Sequence, residues 1–332
     1  MNRVLKLSVL VGDAFTVKGD VLVLKYAQKL FGLDQGVYTL LQQHGIVPSL
    51  PEVNEEVIVE TQGSLGVTKI QFVGVKSLWQ FNYSEIRDFA RRALLSLAQK
   101  SPNSRHIIFT LHGAGSGLDE IEAFESEIAG IVDAVTEGWA NLIESITFVE
   151  SDQGRAYRLS KTLMRHFPSG DLPIDGLGSI SALTLESQDT LRTVGYASAG
   201  KPHVFVAMPF AGEMDDIYHY GIQGAANAAG LLCERADLST FTGDVMEWVK
   251  TRISSAKLVI ADLSCANPNV YLEVGYAWGC RVPTVLLVKE AEDLKFDVQG
   301  QRCIVYSSIK QLEESLRAEL VGLTQAMPQF HD

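Results

Sequence analysis

The chain has 332 residues, 46% of them hydrophobic and 20% charged, and carries a net charge of −12. That length exceeds one average domain of roughly 100 to 200 residues, so two compact cores are expected. No stretch approaches the ~20 uninterrupted apolar residues of a membrane span, and the acidic surplus, −3 up to His166 and −9 from Phe167 onward, argues against nucleic acid as a partner. A single small nucleotide remains compatible, because backbone N–H groups hold one or two phosphates without net positive charge. The start MNRVLKLSVLVGD is basic and then apolar but lacks a small-residue cleavage site, and reads as a first β-strand rather than a signal peptide. Cys233, Cys265, Cys280 and Cys303 form no CxxC pair, which predicts reduced thiols in a cytoplasmic protein, without disulfides or a metal site.

Along the first 166 residues, VLKLSVLVGD, DVLVLKYA, EVIVETQG, TKIQFVGV, HIIFTLHG and SITFVE are rich in Val and Ile and bounded by Gly, Asp or Asn, as strands are. Between them LDQGVYTLLQQHG, YSEIRDFARRALLSLAQK and DEIEAFESEIAGIVDAVTEGWANL carry apolar residues at helical spacing. The alternation predicts an α/β layer fold with a mostly parallel sheet. In TLHGAGSGLDEIEA a strand runs into Gly113, Gly115 and Gly117 before Asp119 and Glu120 open a helix. Such a loop lets backbone amides approach a phosphate, or is simply a tight turn capped by Asp119. Residues 167–200, with two prolines and many Gly and Ser, predict a partly ordered linker.

A new α/β unit begins at HVFVAMPF. It continues through the helix MDDIYHYGIQGAANAAG, the strand LLCERAD, the helix DVMEWVKTRISSA, the strand KLVIADLS, the helix NVYLEVGYAWGC, the strands PTVLLVK and RCIVYS, and the closing helix IKQLEESLRAEL. Five strands with helical crossovers imply a flavodoxin/Rossmann-like parallel sheet with helices on both faces. Ligands of such sheets sit outside the carboxyl ends of the strands. There the sequence places Met208, Pro209 and Phe210, then Asp262 in ADLS, then CANPN leading into the helix that carries Glu273. Asn267 and Pro268 have the signature of a helix N-cap and first turn. The neighbours Val270, Leu272, Val274, Tyr276 and Ala277 are apolar, an expensive setting for an unpaired carboxylate. Asp244 behind Gly243 has the form of an N-cap or a ligand contact, and Arg235 suits a phosphate or carboxylate. Phe296 and Asp297 are placed to form a lid.

VFVAMPF, the central GD, VIADLS and NPNVYLEVGYA together resemble a bacterial branch of the nucleoside 2-deoxyribosyltransferase-like and TIR-like superfamily, over about residues 202 to 320. The resemblance implies that Glu273, at the ExG position, is the nucleophile or oxocarbenium stabiliser in cleaving the bond between a ribose C1′ and a base. That role suits a carboxylate. Asp262 and Asp244, with Asp237, are candidates for leaving-group activation, and Met208, Pro209, Phe210, Arg235, Asp237, Asn267, Asn269, Tyr271 and Gly275 for ligand contact. Deoxyribosyltransferases carry an Asp six residues before the nucleophile. Here it is Asn267, whose amide cannot act as an acid, so the resemblance points toward hydrolysis of a ribonucleotide such as NAD, or to loss of turnover, rather than base exchange.

GDAFTVKGDVLVLKYAQKLFGLDQGVYTLLQQHG resembles the opening of a macro-like domain, or the macro-like front domain of leucine aminopeptidases, over about residues 3 to 150. Lys25, Tyr26 and Ala27 stand where macro domains carry an Asn-rich strand end. The resemblance implies ligand contacts at Gly12, Asp13, Gly113, Gly115 and Gly117, provided the acids of the following helix face solvent. The expected organisation is a macro-like α/β sandwich over 1–166, a linker over 167–200 and the transferase-like domain over 201–332. By analogy, the protein is expected to be a defence-type N-glycosidic hydrolase with no prosthetic group, NAD or another nucleotide as substrate, a homo-oligomeric assembly, and a signal or partner protein read by the first domain. The competing readings are a non-catalytic nucleotide sensor and a transferase acting on nucleosides.

Overall fold

The computed structural model describes residues 3–77, 80–114, 117–174, 183–209, 212–235, 245–289 and 303–326. The chain divides into two compact α/β units, Met1–Ala114 with Glu120–Ala199, and Gly115–Asp119 with Gly200–Asp332. Among the described residues no helix is long and apolar enough to cross a membrane.

In the first unit the strands are β1 (Val4–Val11), β2 (Gly19–Tyr26), β3 (Glu56–Glu60), β4 (Val67–Gly74), β5 (His106–Phe109), β6 (Ser145–Glu150) and β7 (Asp171–Pro173). They form one mixed sheet in the order β3-β4-β2-β5-β6-β1-β7. Its four inner pairings are parallel, and β3 and β7 close the edges antiparallel. The run Val21–Leu24 in β2 is buried on both faces, which is why it reads as continuously apolar rather than alternating. The helices are α1 (Leu33–Gln43), α2 (Tyr83–Lys100), α3 (Glu120–Thr136), α4 (Gln153–His166) and α5 (Leu185–Thr193).

Three expectations need correction here. HIIFTLHG is a strand only to Phe109. The third helix stops at Thr136, because Gly138 takes φ 85° and its N–H bonds the Val135 carbonyl while that of Trp139 bonds Ala134, a glycine-terminated helix end. Residues 153–166, given no element, form α4, capped by Asp152 accepting from the Arg155 amide and burying Ala156, Leu159 and Leu163. Within the expected linker, β7 pairs with β1, and α5 is capped by Thr184. Arg87 donates to the carbonyls of Arg192 and Val194 at 3.2 and 2.6 Å, which fastens this stretch to α2.

The second unit holds β8 (His203–Ala207), β9 (Leu232–Glu234), β10 (Leu258–Asp262), β11 (Thr284–Val288) and β12 (Cys303–Val305) in the order β12-β11-β10-β8-β9, all parallel. In order of appearance that is 2-1-3-4-5, the flavodoxin-like arrangement, whose switch point lies between β8 and β10. Val204, Val206, Leu258 and Ile260 point into one apolar layer, and Phe205, Ala207, Val259 and Ala261 into the other. The helices α6 (Gly224–Ala228) and α9 (Ile309–Ala326) cover the first face, and α7 (Val245–Ser255) and α8 (Pro268–Gly279) the second. The helix expected over MDDIYHYGIQGAANAAG is broken into a 3₁₀ turn at Gly212–Met214, a π-helical stretch at Ile217–Gln223 and α6. Within it Gly221 lies so close to Leu312 of α9 that a Cβ there would sit 2.8 Å from the leucine.

Candidate functional site

The carboxyl ends of β8 and β10 lie side by side, with Ala207 paired to Ala261. Met208 and Pro209 continue β8 and are buried. Asp262 ends β10 fully buried, and Oδ1 accepts from the Ser264 amide at 2.9 Å while Oδ2 accepts from the Tyr306 hydroxyl at 2.7 Å. A short 3₁₀ turn, Ser264–Ala266, follows, with φ of 61° at Cys265 and 49° at Ala266. Two successive non-glycine residues in the left-handed region cost on the order of 1–3 kcal/mol each, so the surroundings must impose this conformation. Ser264 Oγ accepts from the Lys289 amide at 2.9 Å, and the Leu263 amide bonds the Leu287 carbonyl. The turn is therefore latched to the ends of β11 and β12.

Asn267 caps α8, its Oδ1 accepting from the Asn269 amide at 2.9 Å, with Pro268 in the first turn. Val270, Val274 and Ala277 face the core. Glu273 follows Val270 by three positions and precedes Ala277 by four, which sets it on the flank of that buried face. It is half-buried, and burial alone lifts its carboxyl from 4.5 to about 7. No described residue forms a hydrogen bond or ion pair with it. Asn269 and Gly275 are exposed and Tyr271 is half-buried. A Cβ on Gly275 would meet nothing within 4 Å, so neither packing nor backbone conformation calls for glycine there.

At the end of β9, Arg235 lies over the Tyr218 ring, 4.1 Å from its centroid. Its Nη2 reaches Asp215 at 3.4 Å and its Nη1 reaches the Met208 sulfur at 3.8 Å. The fold thus joins Met208 to Arg235, and Asp262 to Asn267 through one turn. Phe210, Asp237, Asp244, Phe296 and Asp297 lie outside the described residues, as does Gly115. Sequence reasoning missed Tyr306, which no motif marks.

In the first unit, the Gly12 amide bonds the Glu150 carbonyl, and Asp13 folds the next turn by accepting from the Phe15 amide at 2.9 Å. Gly113 and Gly117 have φ of 97° and 89°. Gly113 falls in the first unit and Gly117 in the second, where a Cβ would sit 2.4 Å from the Trp248 ring. Asp119 accepts from the Cys233 amide at 2.9 Å. The acids of α3 do not face solvent, so the condition set for a phosphate beside this helix is not met: Glu120, Glu122, Glu125 and Glu127 are all buried. Arg155 and Arg158 pair with Glu120, the Ser198 hydroxyl donates to Glu122, and His166 contacts Glu125 at 3.0 Å. Burial pushes the Glu127 carboxyl well above the usual range, with the His112 backbone opposing the shift. Near the end of β2 and after β5, burial lowers the Lys25 amine and the His112 imidazole, and in the first turn of α1 it raises the Asp34 carboxyl to about 6.

No protein-family model matches this chain, and no curated protein matches it. Among solved structures it is similar to an Oceanobacillus iheyensis macrodomain with MES bound, at 17% identity and TM-score 0.36, over 46% of this chain and 87% of that one. A Trypanosoma brucei macrodomain in complex with ADP-ribose matches at 14% identity and TM-score 0.39, over 48% and 69%. The CMP N-glycosidase of Clostridium botulinum matches at 19% identity and TM-score 0.30, over 35% and 98%. Likeness at this level carries no argument about function.

Proposed function

We propose that the second unit hydrolyses the N-glycosidic bond of a nucleotide, with Glu273 as the carboxylate that stabilises or traps the ribosyl cation. The observation that carries the reading is a lone half-buried carboxyl on the second turn of α8, the helix that follows β10, without a described partner and with its ionisation held near neutrality. Cleavage breaks the C1′–N bond, its electron pair leaving with the base, and positive charge develops on the sugar. A desolvated carboxylate interacts more strongly with that charge than an exposed one does. Water then supplies hydroxide to C1′ and a proton to the base. Met208, Pro209, Asn269, Tyr271 and Gly275 line the approach, and Arg235 meets a phosphate. NAD, NADP, ATP or CMP are the substrates to try. Phe210, Asp237 and Asp244 belong to the same proposal on sequence grounds alone.

In this reading the first unit senses a nucleotide or a partner protein through Gly12, Asp13 and Gly113, and the whole acts as a cytoplasmic, homo-oligomeric defence effector. A second reading, a sensor without turnover, is favoured by Asn267, whose oxygen is already committed to capping α8. Comparing binding with turnover separates the two. Glu273→Gln is expected to keep calorimetric affinity for the nucleotide while base release falls at least a hundredfold. Unchanged turnover in that variant overturns the assignment, and binding without turnover in the wild type favours the sensor.

A further inference from the structure

We infer that Tyr306 is a positioning residue for the Glu273 site, acting through Asp262. This rests on the hydrolase reading above. The buried Tyr306 follows β12, and its amide bonds the Val288 carbonyl at the end of β11. Its hydroxyl donates to Asp262 Oδ2 at 2.7 Å, and the other oxygen of the same carboxylate receives the Ser264 amide. Three neighbouring strand ends thereby fix the turn in which Cys265 and Ala266 take left-handed backbone angles. That turn ends at Asn267, the cap of α8, so the direction in which α8 leaves the sheet, and with it the place of Glu273, depends on this network.

The arrangement reassigns Asp262. A fully buried carboxylate that accepts both a phenol and a backbone amide is an anchor for its own loop, so it holds the site's geometry rather than protonating a leaving base. The tyrosine hydroxyl donates to Oδ2, so phenylalanine keeps the packing and removes that donor.

The test uses full-length wild type, Tyr306→Phe and Ser264→Ala, with NAD and CMP as probes. Amide hydrogen exchange over residues 263–266 is expected to speed up at least tenfold in Tyr306→Phe. The kcat for base release is expected to fall at least tenfold with KM within twofold and the pH midpoint set by Glu273 unmoved. Ser264→Ala, which keeps the Tyr306–Asp262 bond, is expected to show a smaller loss of the same kind. Wild-type exchange in Tyr306→Phe, or faster exchange with unchanged kcat, overturns the inference. A wild type that releases no base from any probe defeats the hydrolase reading itself, and the positioning role with it. A silent Tyr306→Phe beside an active wild type leaves that reading intact.

Discussion

Glu273 is a carboxyl for which the folded protein prefers the proton. Its ordinary value of 4.5 rises to about 7 through burial. A raised acid contributes a penalty that is absent below pH 4.5, where both states are protonated, and complete above about 7, where the folded state must bury a charge. Glu273→Gln removes that penalty. Chemical denaturation should show the variant more stable than wild type by about 1–2 kcal/mol at pH 8, discounted for solvent access, and equal to it at pH 4.5. If Glu273 works as a carboxylate, base release rises with pH through about 7; a fall over the same range would mean that it acts as an acid. Gly275 offers a second test. With open space around its Cα and an ordinary helical backbone, Gly275→Ala should gain about 0.5–1 kcal/mol in thermal stability. If a ligand approaches there, KM rises in the same variant.

At the scale of elements, the chain shows where local patterns suffice. The cap of α8 was legible because Asn267 and Pro268 act over three residues, and β10 because Leu258–Asp262 is a short, wholly buried run. Helix α4 was not, because Arg155, Arg158, Lys161 and Arg165 and other polar side chains mask the spacing of Ala156, Leu159 and Leu163. The acids of α3 belong to the same case: Glu120 is buried because Arg155 and Arg158 arrive from α4, and that partnership spans 35 and 38 residues. The stretch around Val194 is ordered by Arg87, which also makes two bonds to Asp133, at 2.6 and 2.8 Å. Arg87→Ala strands Asp133 and two carbonyls, and should cost about 3 kcal/mol, with proteolysis appearing first between residues 190 and 196.

Over the whole molecule, the grouping of strands into two α/β units followed from composition and periodicity, but β7, which lies inside the expected linker, and the sheet order did not. Five strands with crossovers fit either a flavodoxin-like or a Rossmann-like sheet, and only the pairing of β8 with both β9 and β10 decides for the former. That pairing sets the switch point and brings Met208 beside Arg235, 27 residues on. The Tyr306–Asp262 bond, across 44 residues, was beyond sequence reading for the same reason. What the sequence does carry is the chemistry of single positions, Glu273 above all.

The claim on which the account turns is that one carboxylate breaks a nucleotide's N-glycosidic bond. It is tested most directly by chromatography and mass spectrometry of products after wild type and Glu273→Gln are incubated at pH 8 and high protein concentration with NAD, NADP, ATP, CMP and a set of nucleosides. The account predicts a free base from wild type with at least one nucleotide and none from the variant. Equal base release by the two proteins, or none from wild type with any of them, would contradict it.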